Sequence, residues 1–231
     1  MFDLIIKGGT LPDGRSTDIG IKADKITAIE DLSTAETRET IDASGDLVSP
    51  PFVDPHFHMD ATLSYGTPRI NASGTLLEGI GLWGELKEVM TQDEVKARAL
   101  EYCDWAASLG LLAIRSHVDT CDDRLLGVEA LLDVRETVKD YIDLQLVAFP
   151  QDGLYRDPTA HENTIRALDM GVDHLSLYQL TIEDGTAFGD RFKAGKLRGL
   201  PQEELSADMY ALTQEICEAA GLPAYEVSNH A

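Results

Sequence analysis

His56 and His58 are the residues of this sequence whose types and spacing most directly indicate chemistry. Both follow a largely apolar run that begins at Leu47. Side chains at positions i and i+2 of a β-strand point to the same side, so the two imidazoles should project together. Polar sequence with Gly and Pro follows, which places the pair at the carboxyl end of a buried strand, where α/β barrels hold their chemistry. Neutral imidazoles suit Zn or Fe, so the spacing predicts a metal site, and the alternative is two unrelated histidines at a strand end.

Three further polar side chains come at the ends of the next two predicted strands. His117 and Asp119 end the second strand and could line the same pocket as the histidine pair. The alternative for these two is a strand-end turn with a solvated aspartate. Gln151 directly follows the third strand, and its amide offers a donor and an acceptor on one planar group. That group matches the edge of a pyrimidine or an amide substrate, whereas the alternative is a loop glutamine in water.

The other titratable residues are weaker candidates. His230 follows the fifth predicted strand and could be a third imidazole at the same edge, although terminal residues more often fray. His161 and His174 start a helix and a strand, which is the wrong end for catalysis. Three acidic residues fall after the fourth strand and are expected to be solvated: Glu183, Asp184 and Asp190.

The pattern of elements changes near residue 50. Residues 1–50 indicate short strands, whereas residues 51–231 alternate between strands and helices, which is typical of a parallel sheet with right-handed crossovers. Five such units are too few to close an eight-stranded barrel, so we predict an α/β fold, a partial (β/α) barrel behind a small β lead-in. The barrel strands are predicted to end at 58 and to span 111–119, 142–150, 174–178 and 223–227, with helices at 76–90, 92–109, 125–141, 159–170 and 202–220.

Local signals add detail to this prediction. Thr91, with Glu94 three residues later, predicts a helix N-cap. The segment from His174 onward should continue the parallel sheet, with the fifth strand beside the fourth. An open edge after the fifth strand would invite association, so a homo-oligomer through this edge is a possible assembly. The helix at 202–220 has the apolar stripe of a helix packed on a sheet face: Leu205, Met209, Leu212, Ile216 and Ala219.

The charge balance and the cysteines restrict partners and location. The chain has 41 acidic and 19 basic residues and a net charge of −22, which disfavours nucleic acid and is compatible with neutral or cationic small substrates. No apolar run approaches the roughly 20 residues of a membrane span, and the N-terminus lacks the features of a secretory leader. Cys103, Cys121 and Cys217 fit neither a zinc ribbon nor a disulfide framework, so a cytoplasmic location is expected.

Four segments carry a resemblance to a known family: Pro50–His58, Ser73–Ile80, His117–Asp119 and Ile142–Gln151. With their surroundings, from residue 1 to near residue 173, they resemble the N-terminal part of cytosine deaminases of the amidohydrolase superfamily. The resemblance implies a β-sandwich lead-in and a metal-dependent barrel that hydrolyses cytosine to uracil and ammonia. His56 and His58 would be ligands of Fe or Zn, and Gln151 and the Leu76 backbone would contact the cytosine ring. In that family, water activated by the metal attacks the ring carbon that carries the amine.

The family pattern is not complete in this sequence. It next requires a histidine with a nearby glutamate on strand five, a histidine on strand six and an aspartate on strand eight, and none is present as such. Catalytic metal sites usually take three protein ligands, and a proton shuttle between water and ring is not evident. The sequence therefore predicts weak metal binding and weak or absent activity.

A second resemblance begins near residue 174. The segments His174–Glu183, Gly185–Phe188 and Tyr225–Ala231 are similar to haem chaperones related to oxygen-independent coproporphyrinogen III oxidase, which are radical-SAM proteins on a partial β/α barrel. Their CxxxCxxC motif is not in this chain, and the three scattered cysteines cannot replace it, so no Fe–S cluster is expected. The change of resemblance predicts a fusion of two barrel fragments.

Three functions remain open at this point. The first is a metal-dependent amidohydrolase of cytosine-deaminase type that acts on a small pyrimidine-like substrate with an incomplete metal site. The second is a non-catalytic binding or interaction module, in which the segment after residue 174 supplies only structure or a partner surface. The third is a fragment of a radical-SAM haem chaperone, which the missing cluster motif disfavours. A pocket without metal dependence would favour the second function.

Overall fold

The computed structural model describes residues 1–151, 159–172, 174–177, 182–197 and 199–231, apart from the side chains of residues 160, 161 and 187. Contacts divide the chain into two compact units, Met1–Pro51 and Phe52–Ala231. Residue 173, next to the change of resemblance, and residue 178, the last of the fourth predicted strand, lie outside this described part, as does the side chain of His161. No helix in the described part combines the length and apolar character that a membrane span needs.

The first unit contains a single four-stranded sheet. Its strands are β1 (Phe2–Thr10), β2 (Ser16–Lys22), β3 (Lys25–Glu30) and β4 (Thr37–Asp42), in the order β3-β2-β1-β4. Ala23 and Asp24 have φ values of 49° and 62°, so they form the turn of the β2–β3 hairpin in the left-handed region that such turns require. A β-sandwich needs a second sheet, so this lead-in, although all β, does not confirm the expected sandwich.

The second unit alternates strands and helices. Its elements are β5 (Phe52–Phe57), a short 3-10 turn (Met59–Ala61), α1 (Leu76–Val89), α2 (Gln92–Ser108), β6 (Leu111–Asp119), α3 (Leu126–Val138), β7 (Asp143–Phe149), α4 (Ala160–Asp169), β8 (His174–Ser176), α5 (Ala187–Lys193), α6 (Glu203–Ala219), β9 (Ala224–Glu226) and β10 (Asn229–His230). Thr91 caps α2 as predicted, in a reciprocal capping box with Glu94. Helix α5 was not predicted, and Thr186 caps its first turn by accepting from the Gly189 amide.

The sheet of the second unit is a curled half-barrel in a mixed α/β fold. Strands β5, β6, β7 and β8 are parallel and adjacent in chain order, as predicted for the first four barrel strands. The prediction for the fifth strand is wrong. That segment forms β9 at the outer edge, and β10 lies between β8 and β9, antiparallel to both. The chain reverses after Glu226, and β10 returns to occupy the position beside β8 that was predicted for the fifth strand.

The apolar stripe of α6 is not buried as predicted. Leu205, Met209, Leu212 and Ile216 are 53%, 44%, 55% and 60% exposed. Cys217 is the α6 residue that is buried. The two short strands of the terminal hairpin offer little sheet surface, so within the described residues the stripe meets no sheet face of matching length. The helical period was therefore correct, but the packing partner was not.

The core of the second unit lies between the sheet and helices α2 and α3. On β6, Ile114 and Val118 point into this core, because alternate residues of a strand share a face. Arg115, His117 and Asp119 therefore lie on the opposite face, which is the concave face of the half-barrel.

Helix α1 is held at the carboxyl edge of the sheet by a buried ion pair. Asp119 Oδ2 accepts hydrogen bonds from Trp83 Nε1 at 2.7 Å and from Lys87 Nζ at 2.8 Å. The Lys87 and Asp119 side chains are only 13% and 1% exposed. Trp83 and Lys87 lie one turn apart on α1, so both contacts come from one face of the helix. This pair fixes α1 beside the last residue of β6.

We expect Lys87→Met to reduce the free energy of unfolding by about 3–5 kcal/mol, because it leaves the Asp119 carboxylate buried without its cation. Lys139→Met is the matched control. Lys139 pairs with Glu136 on the surface, where the two side chains are 61% and 69% exposed, and we expect little change in the free energy of unfolding because solvent screens such a pair. Urea unfolding of the two variants measures the difference, and equal losses would contradict the anchoring role of the buried pair.

Candidate active site

His56, on β5, and His58, directly after this strand, converge at the carboxyl edge of the second unit's sheet. The rings of His56 and His58 are 5.4 Å apart between centroids and inclined at 72°. The expectation that they end a buried strand is wrong, because β5 is the edge strand and His56 is exposed, while His58 is half-buried. The Asp54 carboxylate accepts from the His56 amide at 3.1 Å, next to a register shift between Asp54 and Phe57.

His117 supplies a third imidazole to the same cluster. Its ring is stacked on His56 at 4.0 Å between centroids and lies 5.8 Å from His58. The residue is 2% exposed, and its Nδ1 has no hydrogen-bond partner among the described residues. Phe149, the last residue of β7, closes one side with ring centroids 5.4 Å from His58 and 5.7 Å from His117. We call His56, His58 and His117 the imidazole cluster.

Two rings of the imidazole cluster, those of His58 and His117, have a lowered pKa. Burial is the main cause that lowers the pKa of His58, and the neighbouring His56 adds to it. Burial also lowers the pKa of His117 to about 4, with further contributions from His56, His58 and Arg115. A ring whose pKa is lowered is neutral near pH 7 and keeps a nitrogen lone pair for a metal or a hydrogen-bond donor.

Asp119 lies at this edge, but its carboxylate is engaged by the protein. Besides Trp83 and Lys87, it accepts from the Cys121 amide through Oδ1 at 2.8 Å. Its own amide donates to Asp60 Oδ2 at 2.9 Å. Burial raises the pKa of Asp60 to about 7, and the charge of Asp119 acts in the same direction, whereas the hydrogen bond from the Asp119 amide opposes it. Asp119 therefore connects helix α1 to the strand end, and a substrate contact from it stays a prediction.

Gln151 and Leu76 are placed near strand and helix ends without a described contact to the imidazole cluster. Gln151 follows β7 by two residues and is half-buried. Leu76 is the first residue of α1, after the N-cap Thr75, and is 78% exposed. Leu76 shares a helix face with Trp83 and Lys87, since it lies seven and eleven positions before them. Their predicted contacts with a ring substrate remain untested.

The two remaining histidines in sheet strands occupy different faces. His230 is fully buried, and neither of its ring nitrogens has a described partner. It pairs with Leu175, a core residue, so it lies on the helix-covered face and not with the imidazole cluster. His174, which sequence reasoning placed at the wrong strand end, is in register with Val147, which in turn is in register with His117. Strand β8 begins opposite the carboxyl half of β7, so its first residue, His174, is at the same level of the sheet as His117.

Sequence reasoning missed three side chains around this edge: Trp83, Lys87 and Arg115. The first two are separated by four positions on a predicted helix, a spacing that shows a shared face but not what it contacts. Arg115 stands two positions before His117 in a predicted strand, so the period-two rule that selected His117 also places Arg115 on its face.

The imidazole cluster matches a divalent metal in the chemistry of its donors but not in their arrangement. Neutral nitrogen ligands and the unpartnered Nδ1 of buried His117 suit Zn or Fe. In the described part of the chain, however, no group of three or more His, Cys, Asp or Glu side chains is arranged to hold an ion. A structural or catalytic metal normally needs three or four protein ligands, so the described residues do not form a closed metal site.

Comparison with known proteins identifies relatives over most of the chain. An N-isopropylammelide isopropyl amidohydrolase from Pseudomonas sp. (strain ADP) is 35% identical over 182 residues, which are 74% of this chain and 44% of the relative. A 5-methylcytosine deaminase from Klebsiella pneumoniae, solved with 5-fluorocytosine, superposes with a TM-score of 0.68 at 38% identity, over 73% of this chain and 42% of that protein. The chain thus spans less than half the length of these relatives.

The second resemblance covers much less. The haem chaperone HemW of Lactococcus lactis is 44% identical over 62 residues, which are 27% of this chain and 16% of the chaperone.

The sequence profile of the Amidohydrolase family matches residues 39–201, which include all of the imidazole cluster. On the strength of this match and of the relatives above, the chain belongs to the amidohydrolase family.

Proposed function

We propose that the second unit binds a divalent metal, Zn or Fe, through His56 and His58 and hydrolyses carbon–nitrogen bonds of amine-bearing heterocycles of the cytosine type. The observation that carries this proposal is the convergence of three imidazoles at the carboxyl edge of a parallel sheet. This is the edge at which α/β barrels carry out their reactions. The relatives support the class of substrate, since the names of two of them specify 5-methylcytosine and N-isopropylammelide.

The bound metal would supply Lewis-acid activation of water, and the chain would bind and orient the substrate. Gln151 offers an amide donor and acceptor for the ring edge, and the Leu76 backbone would contact the same ring from the start of α1. His117 would face the substrate from the floor of the imidazole cluster, where burial keeps its ring neutral. Asp119 would contribute through α1, which its carboxylate holds in place.

A non-catalytic binding module is the second candidate. It is favoured by the lack of a three-donor group in the described residues and by the exposure of His56 at an edge strand. In this case the concave face would bind a small molecule without any dependence on a metal. Metal affinity and turnover distinguish the two candidates.

Zinc affinity should depend on the first-strand histidines. We expect weak binding, and we expect His56→Ala or His58→Ala to weaken it further by about 10–100-fold, since each removes a ligand. His174→Ala is the matched control, because His174 is in the same sheet but outside the imidazole cluster, and its loss should leave the affinity unchanged. Competition with a fluorescent zinc chelator at pH 7.5 gives the constants. A zinc affinity that is unchanged by His56→Ala and His58→Ala but falls with His174→Ala would contradict the assignment of His56 and His58 as metal ligands.

Turnover of cytosine, 5-methylcytosine and N-isopropylammelide should be far below the roughly 10 per second of a typical enzyme, because the described donors do not close a metal site. Ammonia or amine release by the zinc- and iron-loaded protein measures the rate, with the His56→Ala/His58→Ala double variant as the baseline. A rate near that of a typical enzyme would show that the site is complete. A residual rate identical in wild type and double variant would favour the binding module.

A further inference from the structure

Arg115 is a half-buried cation on the concave face of the half-barrel. It lies two positions before His117 on β6, so the two side chains share a face about 7 Å apart along the strand. Arg115 is in register with Gln145 of β7. Its charge is among the causes that lower the pKa of His117, which places the two groups within electrostatic reach.

The described partners of Arg115 are neutral. Its Nε donates to Gln145 Oε1 at 3.1 Å, and its Nη1 donates to Tyr225 Oη at 2.8 Å. The guanidinium carbon lies 5.2 Å from the centre of the Tyr225 ring. A guanidinium has five N–H donors, so these two bonds leave most of its donor capacity, including the whole Nη2 group, for another partner. The Gln145 amide accepts through its oxygen and keeps its NH2 donors.

Arg115 makes no ion pair with any acidic side chain in the described part of the chain. The sequence contains 41 acidic residues and only 19 basic ones. Removing a cation partly from water without an opposite charge costs free energy, and an anion bound at this position would recover it.

We propose that Arg115 and the Gln145 amide form an anion subsite that recognises the carboxylate of a small ligand whose other end reaches the imidazole cluster. The planar fork of arginine binds a carboxylate through two parallel hydrogen bonds. Arg115 and His117 lie about 7 Å apart along the backbone of β6 and share a face, so a ligand whose carboxylate is held by the arginine fork would extend along this face toward the imidazole cluster. If that ligand is the substrate, this assignment rests on the proposed function and narrows its substrate class to heterocyclic carboxylates.

Fluorine NMR titration of the metal-free protein tests the subsite. 5-Fluoroorotate and 5-fluorouracil share a ring and differ by one carboxylate, so the ratio of their affinities reports on the anion subsite alone. We expect 5-fluoroorotate to bind at least about tenfold more tightly than 5-fluorouracil, because the charge-assisted hydrogen bond between Arg115 and the carboxylate adds to its free energy of binding. Arg115→Met should abolish the preference. Arg38→Met is the matched control, because Arg38 is 68% exposed on the first unit, and it should leave the preference intact.

Equal affinities of the two probes for the wild-type protein, or a preference that survives Arg115→Met, would overturn the proposal. Circular dichroism shows whether Arg115→Met folds. If it does not, Arg115→Lys decides, since it retains the charge without the fork, and an unchanged preference in that variant would also overturn the proposal. The titration contains no metal, so its outcome is independent of whether the chain binds zinc or hydrolyses any substrate.

Discussion

The parallel register of β5, β6 and β7 is the constraint on which the candidate site depends. Phe57 is aligned with Ser116, and Ser116 with Leu146, so the ends of three strands meet at one edge of the sheet. That alignment brings His56, near the end of β5, into contact with His117 on β6. A shift of β6 by a single residue would turn His117 into the helix-covered core. The apolar residues that alternate with it on β6 prevent this, because the shift would expose them.

Burial then determines the charge of the groups that the register brings together. The chain is strongly acidic, yet the concave face near the imidazole cluster holds the neutral rings of His58 and His117 and the charge of Arg115, which forms no ion pair with the residues that the structure describes. The carboxylate of Asp119 is matched by Lys87 and is therefore removed from this balance. The charge near the imidazole cluster is thus neutral to positive, whereas the net charge of the whole chain is negative. A small neutral or anionic ligand can be accommodated there even though the net charge disfavours polyanions.

The sequence was informative where a short period decides the structure. The period of two placed the histidine pair and His117 on one edge, and the alternation of elements predicted five parallel strands, of which the structure contains the first four. It failed where the partner of an element matters more than its own pattern. Strand β5 was expected to be buried but lies at the edge, and β10 displaced β9 from its expected neighbour. For the same reason His230 lies on the helix-covered face, and the anchoring of α1 by Lys87 could not be predicted from helical spacing alone.

If the imidazole cluster donates to one divalent ion, X-ray absorption of the zinc-loaded protein will detect the imidazole ligands. We expect outer-shell scattering typical of imidazole from at least two ligands, with Zn–N distances of about 2.0–2.1 Å, and we expect this scattering to be lost in a His56→Ala/His58→Ala variant. A first shell of oxygen ligands without imidazole scattering, or a spectrum unchanged in that variant, would contradict this expectation.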